Sequence, residues 1–169
     1  DVYDLVIGNP PYGRVSLTPE LRAKYQRSVY GHANLYALFM DLAVRLARTG
    51  ALIAFVTPTG FLGGQYFQNL RAMMAREAPP LAIDLVSSRK GVFRDVLQET
   101  LLAVYRRGAM QAKASTQLVE LISETKAEIE PVGTFDLPPN GHDPWLIARD
   151  RGKMALVERA RQMQHRLRD

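Results

Sequence analysis

Apolar and polar positions recur along the chain with two different periods, and the switches between them mark out the elements. Val2-Tyr3-Asp4-Leu5-Val6-Ile7 is a strand, stopped by Gly8 and the Asn9-Pro10-Pro11 breaker. Residues 13–31 are polar, basic and rich in Ser, Thr and Pro, with a short helix predicted over 19–27. Leu35, Leu38, Phe39, Leu42 and Leu46 then follow at spacings of three and four, one face of an amphipathic helix. Asn34 suits its N-cap, Arg45 and Arg48 its last turn, and Gly50 its C′ position. Ala51-Leu52-Ile53-Ala54-Phe55-Val56 is apolar on both faces, the pattern of a strand buried between two helical layers of a parallel sheet. After a loop over 57–64, Phe67, Leu70, Met73 and Met74 mark a second helix, which Pro79-Pro80 must end.

Two further strands are predicted over 81–86 and 101–105, and the connection between them is short enough for antiparallel pairing. Residues 117–122 and 128–135 read as strands of a small edge ribbon, and 137–145 as a linker. Asp150 can cap a last helix with Leu156, Val157, Ala160, Met163 and Leu167 on one face and arginines on the other. The order strand, helix, strand, helix, strand, strand is half of a doubly wound, Rossmann-like α/β sheet, mostly parallel with an antiparallel closing strand. Residues 1–108 would form this body, 109–136 the ribbon, and 137–169 a linker and connector helix. Such a half-sheet leaves the Leu5 strand as a long apolar edge, a liability in a soluble protein. Further strands are therefore expected ahead of Asp1.

A length of 169 residues can bury a real core, and 47% hydrophobic with 23% charged residues excludes disorder. The longest apolar run, 51–56, is far short of the ~20 residues of a membrane helix. No signal-like segment opens the chain, so the expected compartment is the cytoplasm, with no membrane partner. The absence of cysteine removes disulfides, thiolate nucleophiles and Cys-based zinc sites. His32, His142 and His165 are too far apart for a local metal motif, so no metal is expected. The net charge of +5 by itself reads as a solvated surface more readily than as a nucleic-acid footprint.

The informative segment is Asn9-Pro10-Pro11-Tyr12, placed directly after a strand. As a bare tetrapeptide it is a stiff turn. At the carboxyl end of a strand in an open α/β sheet it stands where ligands bind. An exocyclic amine is a poor nucleophile because its lone pair is delocalised into the ring. The Asn9 side-chain oxygen and the Pro10 carbonyl are two acceptors that can take both amino hydrogens and free that lone pair. The fixed φ of each proline preorganises them. Tyr12 offers a ring to stack on a planar base, worth about 1–3 kcal/mol.

This segment resembles the catalytic motif of amino-methyltransferases that use S-adenosylmethionine. Asn34-Leu-Tyr-Ala-Leu-Phe39, Ala51-Leu-Ile-Ala-Phe-Val-Thr-Pro58, Gly91-Val-Phe93 and Gln98-Glu-Thr100 extend the likeness to the adenine methyltransferases of TaqI-like and type IIG restriction–modification systems. The resemblance covers about two-thirds of the chain. It implies methyl transfer to the N6 amino group of an adenine flipped out of double-stranded DNA. It implies that Asn9 and Pro10 accept from that amine, with Tyr12 and Phe93 stacking on the flipped base. Phe39 would pack on the cofactor adenine, and Pro11 would lie where the methyl donor approaches.

Each residue also has a structural reading. Phe39 sits on an apolar helix face, where most aromatics are core; Phe93 lies in a polar loop. Arg14, Arg22 and Arg27 flank the motif and suit phosphate contacts or plain solvation. His32 reads as a loop residue and Asp4 as a structural polar group. The Gly-rich loop and the acidic residue that hold the cofactor in this family are absent, and no target-recognition module follows Trp145. The chain is thus expected to be the second half of a methyltransferase domain, partnered by the rest of a parent chain and inactive alone. Alternative substrates for the motif are a protein glutamine amide or an RNA base. A non-catalytic DNA-binding scaffold is a further alternative.

Overall fold

The computed structural model describes residues 2–88, 99–110, 113–123 and 125–162. Phe93, Met163, His165 and Leu167 lie outside the described residues. Chain order begins β1 (Tyr3–Gly8), β2 (Arg14–Val15), α1 (Pro19–Lys24), β3 (Ala33–Asn34), α2 (Leu35–Leu46) and β4 (Ala47–Pro58). It continues α3 (Gly60–Gly63), α4 (Gln68–Glu77), β5 (Pro80–Ser88), β6 (Thr100–Arg106), β7 (Lys113–Ser123), β8 (Lys126–Asp136) and α5 (Met154–Gln162).

Six strands form one sheet in the order β1-β4-β6-β5-β7-β8. Strand β1 is parallel to β4 and β5 to β7, whereas β6 is antiparallel to both its neighbours and β8 to β7. Four strands thus point one way and two the other. The antiparallel strand expected to close the sheet instead lies inside it, between β4 and β5, where Leu101, Ala103 and Tyr105 are buried. The expected edge ribbon is also more than a ribbon. β7 runs parallel to β5 from Ala82↔Ser115 to Ser88↔Leu121, so β7 and β8 continue the main sheet.

The core lies on one face. Ile53 and Phe55 of β4, Ile83 and Leu85 of β5, and Leu101 and Tyr105 of β6 meet Tyr36, Met40 and Val44 of α2 and Leu70, Met73 and Met74 of α4. On the other face Leu52, Ala54 and Val56 are only half-buried, and Leu5, Ile7 and Leu102 are exposed. The double helical cover expected over 51–56 is therefore present on one side only among the described residues.

Helix α2 ends at Leu46, two residues short of the last helical position that a C′ at Gly50 implies, because the backbone turns extended at Ala47 (φ −73°, ψ 127°). Gly50 lies within β4 instead of capping the helix. Its φ of +85° carries an excursion between the pairs Tyr3↔Ala47 and Leu5↔Leu52, a conformation glycine adopts without a Cβ penalty. Asp4 pairs with Arg48 beside it, in keeping with its structural reading.

Residues 137–145, expected to be a linker, are packed into the body. Trp145 is 2% exposed and its ring meets Phe61 at 5.1 Å and Phe135 at 5.5 Å. Asp150 does cap: its carboxylate accepts from the Lys153 N–H at 2.9 Å at the 3-10 turn that leads into α5.

Candidate active site

After the carboxyl end of β1, residues 9–12 contribute to two cavities. The first, of about 260 Å³, is lined by Asn9, Pro10 and Pro11 together with Phe39, Leu42 and Phe55. The second, of about 400 Å³, is lined by Tyr12, Arg14, Asn34, Tyr36, Tyr66 and Phe67, among others. The Asn9-Pro10-Pro11-Tyr12 segment thus lines both, with Asn9 to Pro11 in one and Tyr12 in the other. Gly8 makes this placement compatible with the core, since a Cβ there would fall 2.3 Å from the Phe55 ring.

In the first cavity Phe39 is 43% exposed, so it is not the core aromatic that its helical spacing also allowed. It faces the groove that Pro11 and Asn9 border. Pro10 is buried, whereas Asn9 and Pro11 are exposed. Asn9 supplies the sole polar side chain of this lining. Such a groove fits a planar aromatic ring and uncharged groups. It offers no carboxylate for sugar hydroxyls.

The second cavity is aromatic. Tyr12 is 38% exposed and stands edge-on to Tyr36, with centroids 6.1 Å apart and planes at 80°. Tyr36 is buried and stacks on Phe67 at 5.1 Å. Burial pushes both phenols above their usual range, Tyr36 much further than Tyr12. Both rings are therefore neutral at physiological pH. His32 is a loop residue at the rim, edge-on to Tyr66 at 5.1 Å.

The loop between β2 and β3 is held by an ion-pair cluster. Asp41 is fully buried and accepts from Arg27 at 2.6 Å, from Arg45 at 2.7 Å and from the Ser28 hydroxyl at 2.7 Å. Burial pushes its carboxyl up, but these hydrogen bonds outweigh it and hold the pKa below the ordinary value. Arg27 also donates to Glu77 at 2.9 Å. Arg27 is thus committed within the fold and is not one of the phosphate contacts considered from the sequence. Arg22 holds the Gly31 carbonyl at 3.1 Å, while Arg14 lies in the cavity wall.

Sequence reasoning missed two residues. Arg71, 2% exposed, donates to four backbone carbonyls: Phe61 and Asp143 at 3.0 Å, Gly64 and His142 at 2.9 Å. It joins the turn beside the second cavity to the segment carrying Trp145. Asp41 is the other. Arg71 is a charge amid the apolar Phe67, Leu70 and Met74, and that placement is a signal the sequence carries. Asp41 carries no such signal, because α2 buries the side with Tyr36, Met40 and Val44, whereas Leu35, Leu38, Phe39, Leu42 and Leu46, the face that the spacing picks out, are half-buried or exposed.

Comparison with known proteins agrees with this architecture. Residues 1–93 match the Eco57I restriction-modification methylase family. The type II methyltransferase M.PstI of Providencia stuartii is 33% identical over 116 residues, covering 68% of this chain and 23% of that protein. The chain therefore spans under a quarter of the length of that relative. Among solved structures, the type IIG restriction endonuclease BpuSI superposes with a TM-score of 0.56 at 23% identity, over 68% of this chain and 15% of that one. A class I S-adenosylmethionine-dependent methyltransferase of Listeria monocytogenes, itself assigned only provisionally, gives 0.56 at 20% identity, over 75% of this chain and 39% of that one. With more than half of its residues matched to the family and a relative this similar, the chain belongs to the Eco57I restriction-modification methylases.

Proposed function

We propose that this chain carries the target-amine half of an S-adenosylmethionine-dependent DNA methyltransferase acting on the N6 amino group of adenine. The observation that carries the reading is that consecutive residues of one segment line two cavities, Asn9, Pro10 and Pro11 the groove at Phe39 and Tyr12 the cavity at Tyr36 and Phe67. Direct methyl transfer needs donor and amine in contact, and this segment is the part of the chain that the two cavities share. The family membership supports the same chemistry.

On this reading the groove at Phe39 takes the adenine and methyl-donor end of the cofactor. Its apolar lining with one stacking ring suits that end, and the ribose-binding groups come from outside these residues. When bound, S-adenosylmethionine supplies an electrophilic methyl group. The cavity at Tyr12 takes the adenine, flipped from double-stranded DNA at a cost of a few kcal/mol. Tyr12 stacks on the base, neutral because its phenol is desolvated. Asn9 and the Pro10 carbonyl accept the two amino hydrogens and turn the nitrogen lone pair towards the groove. Pro10 is buried and its φ is fixed, so the acceptors need no reorganisation. Arg14 borders the cavity as a phosphate contact.

The test is methyl transfer by the full-length protein to duplex DNA, read as N6-methyladenine after digestion. Asn9→Ala should lower the rate about 10²–10³-fold, as loss of a preorganised hydrogen-bond partner does, with cofactor binding retained. Undiminished methylation by Asn9→Ala would refute the assignment. So would label appearing in cytosine, RNA or protein.

A further inference from the structure

The sequence makes Asn34 an N-cap, and it does occupy that position, with extended backbone (φ −121°, ψ 140°). Its side chain, however, makes no hydrogen bond to its own helix. The Asn34 Oδ1 instead accepts from the Gly13 N–H at 3.3 Å. The Gly13 carbonyl in turn accepts from the Leu35 N–H at 2.9 Å, and Arg14 pairs with Asn34 in the two-stranded β2–β3 ribbon. Both peptide groups of Gly13 are thus pinned to the first residues of α2.

Gly13 is a joint that would otherwise be loose. Its φ is +134°, and a built Cβ there would meet nothing within 4 Å. No packing holds it, so the hydrogen bonds do. The Gly13 nitrogen belongs to the Tyr12–Gly13 peptide plane. Holding it restrains the ψ of Tyr12 and hence the direction of the Cα–Cβ bond from which the ring extends. Asn34 also begins the helix that carries Phe39 about one turn further on. One side chain therefore connects the ring of the second cavity to the ring of the first.

We infer that Asn34 is a positioning residue: its side-chain oxygen sets the orientation of Tyr12 and, through the start of α2, the spacing between Tyr12 and Phe39. This rests on the reading of Tyr12 as the ring that stacks on the target base. Its consequence is kinetic. Both ligands can still bind when the clamp is lost, but amine and methyl donor no longer meet at reacting distance, and such misplacement by about 1 Å costs on the order of 10²-fold.

The experiment compares Asn34→Ala, which removes the acceptor, with Asn34→Asp, which keeps it, in the full-length protein. Asn34→Ala should lower kcat about 10- to 100-fold while KM for DNA and Kd for cofactor stay within about threefold. Asn34→Asp should stay within about threefold of wild type in kcat. With 2-aminopurine at the target position, stacking on Tyr12 quenches emission. The Ala variant should be brighter than wild type, the Asp variant as dim. Hydrogen exchange over residues 12–15, which needs no DNA, should rise in the Ala variant alone. Wild-type kcat in Asn34→Ala would overturn the inference, as would failure of Asn34→Asp to restore either emission or exchange. If Asn9→Ala is inactive and Asn34→Ala fully active, only the clamp falls. If Asn9→Ala still methylates, the chemical reading falls, and the exchange contrast alone decides the clamp.

Discussion

Replacing Arg71 with methionine isolates what a buried charge does for the walls of the second cavity. The guanidinium uses four N–H groups on four carbonyls, at 2.9–3.0 Å, and it is 2% exposed. Methionine keeps most of the apolar stem and removes all four donors. The Gly64 carbonyl keeps the Phe67 N–H at 3.1 Å, so three carbonyls lose their donor. Leaving a buried carbonyl unpaired costs about 1 kcal/mol at the low end, so about 3 kcal/mol for the set. Relief from burying a charge, which already pulls the Arg71 pKa down, returns about 1 kcal/mol. A net loss of about 2 kcal/mol is expected. The single tryptophan reports it directly, because Trp145 lies two residues beyond Asp143, which Arg71 holds. Urea unfolding followed by Trp145 emission should give the loss in free energy. The native emission should also shift to the red as residues 140–146 loosen, and proteolysis should begin there. A loss below about 1 kcal/mol, or unchanged native emission, would show that the carbonyls find other partners and would refute the role given to Arg71.

Further outcomes follow from the same geometry. Tyr12→Ala should lower kcat/KM for DNA about 5- to 150-fold, the equivalent of a 1–3 kcal/mol stacking contact, whereas Tyr12→Phe should stay near wild type because its neutral hydroxyl is not asked to ionise. Phe39→Ala should weaken cofactor binding about tenfold by calorimetry, yet cost under about 1 kcal/mol of stability, since the ring is 43% exposed. The folded-state pKa of Asp41 is depressed, so its contribution to stability is complete above the ordinary value of 3.8 and is lost as pH falls through the folded value. Thermal unfolding should therefore weaken from about pH 4 downward. Asp41→Asn should flatten that dependence and cost about 3 kcal/mol at neutral pH, at the low end for a broken buried pair because Arg27 and Arg45 are partly exposed.

Local periodicity made most elements legible. The spacing of Leu35, Leu38, Phe39, Leu42 and Leu46 marks α2 as a helix but not its buried face, which carries Tyr36, Met40 and Val44, while the two-sided apolar run 51–56 marks β4. Periodicity reports which face of an element is apolar, but not which strand lies beside it. That is why the pattern predicts β6 at an edge although it lies inside, and reads β7 and β8 as a separate ribbon although they continue the sheet. Residues 137–145 looked like a linker because Pro, Gly and Asn dominate them, and composition of that kind records irregular backbone, not exposure. Their anchors are Trp145 and the backbone carbonyls that Arg71 grips, and a carbonyl carries no mark in the sequence. The sequence reads Asn34 only as an N-cap for a related reason. An N-cap residue and a clamp on a distant loop need the same acceptor, and only the fold decides which N–H reaches it.

The buried charges share a logic that hydrophobic burial cannot supply. The walls of the second cavity come from the β2–β3 segment and from the turn at 58–67, which lie outside the main sheet and reach the core through a few side chains such as Phe61 and Phe67. Burial of apolar surface is non-directional; it can hold such loops near the body without fixing their course. Hydrogen-bonded charges are directional. The Asp41 cluster fixes the first loop through Arg27 and Ser28, Asn34 fixes its junction with the motif, and Arg71 fixes the second through Phe61 and Gly64. Asp41 and Arg71 are removed from solvent to do so, and a buried ion pair is often no more stabilising than an apolar replacement. Their value here lies in position: the aromatic groups that line the cavity are held by loops, and those loops keep one geometry only while these polar contacts are intact.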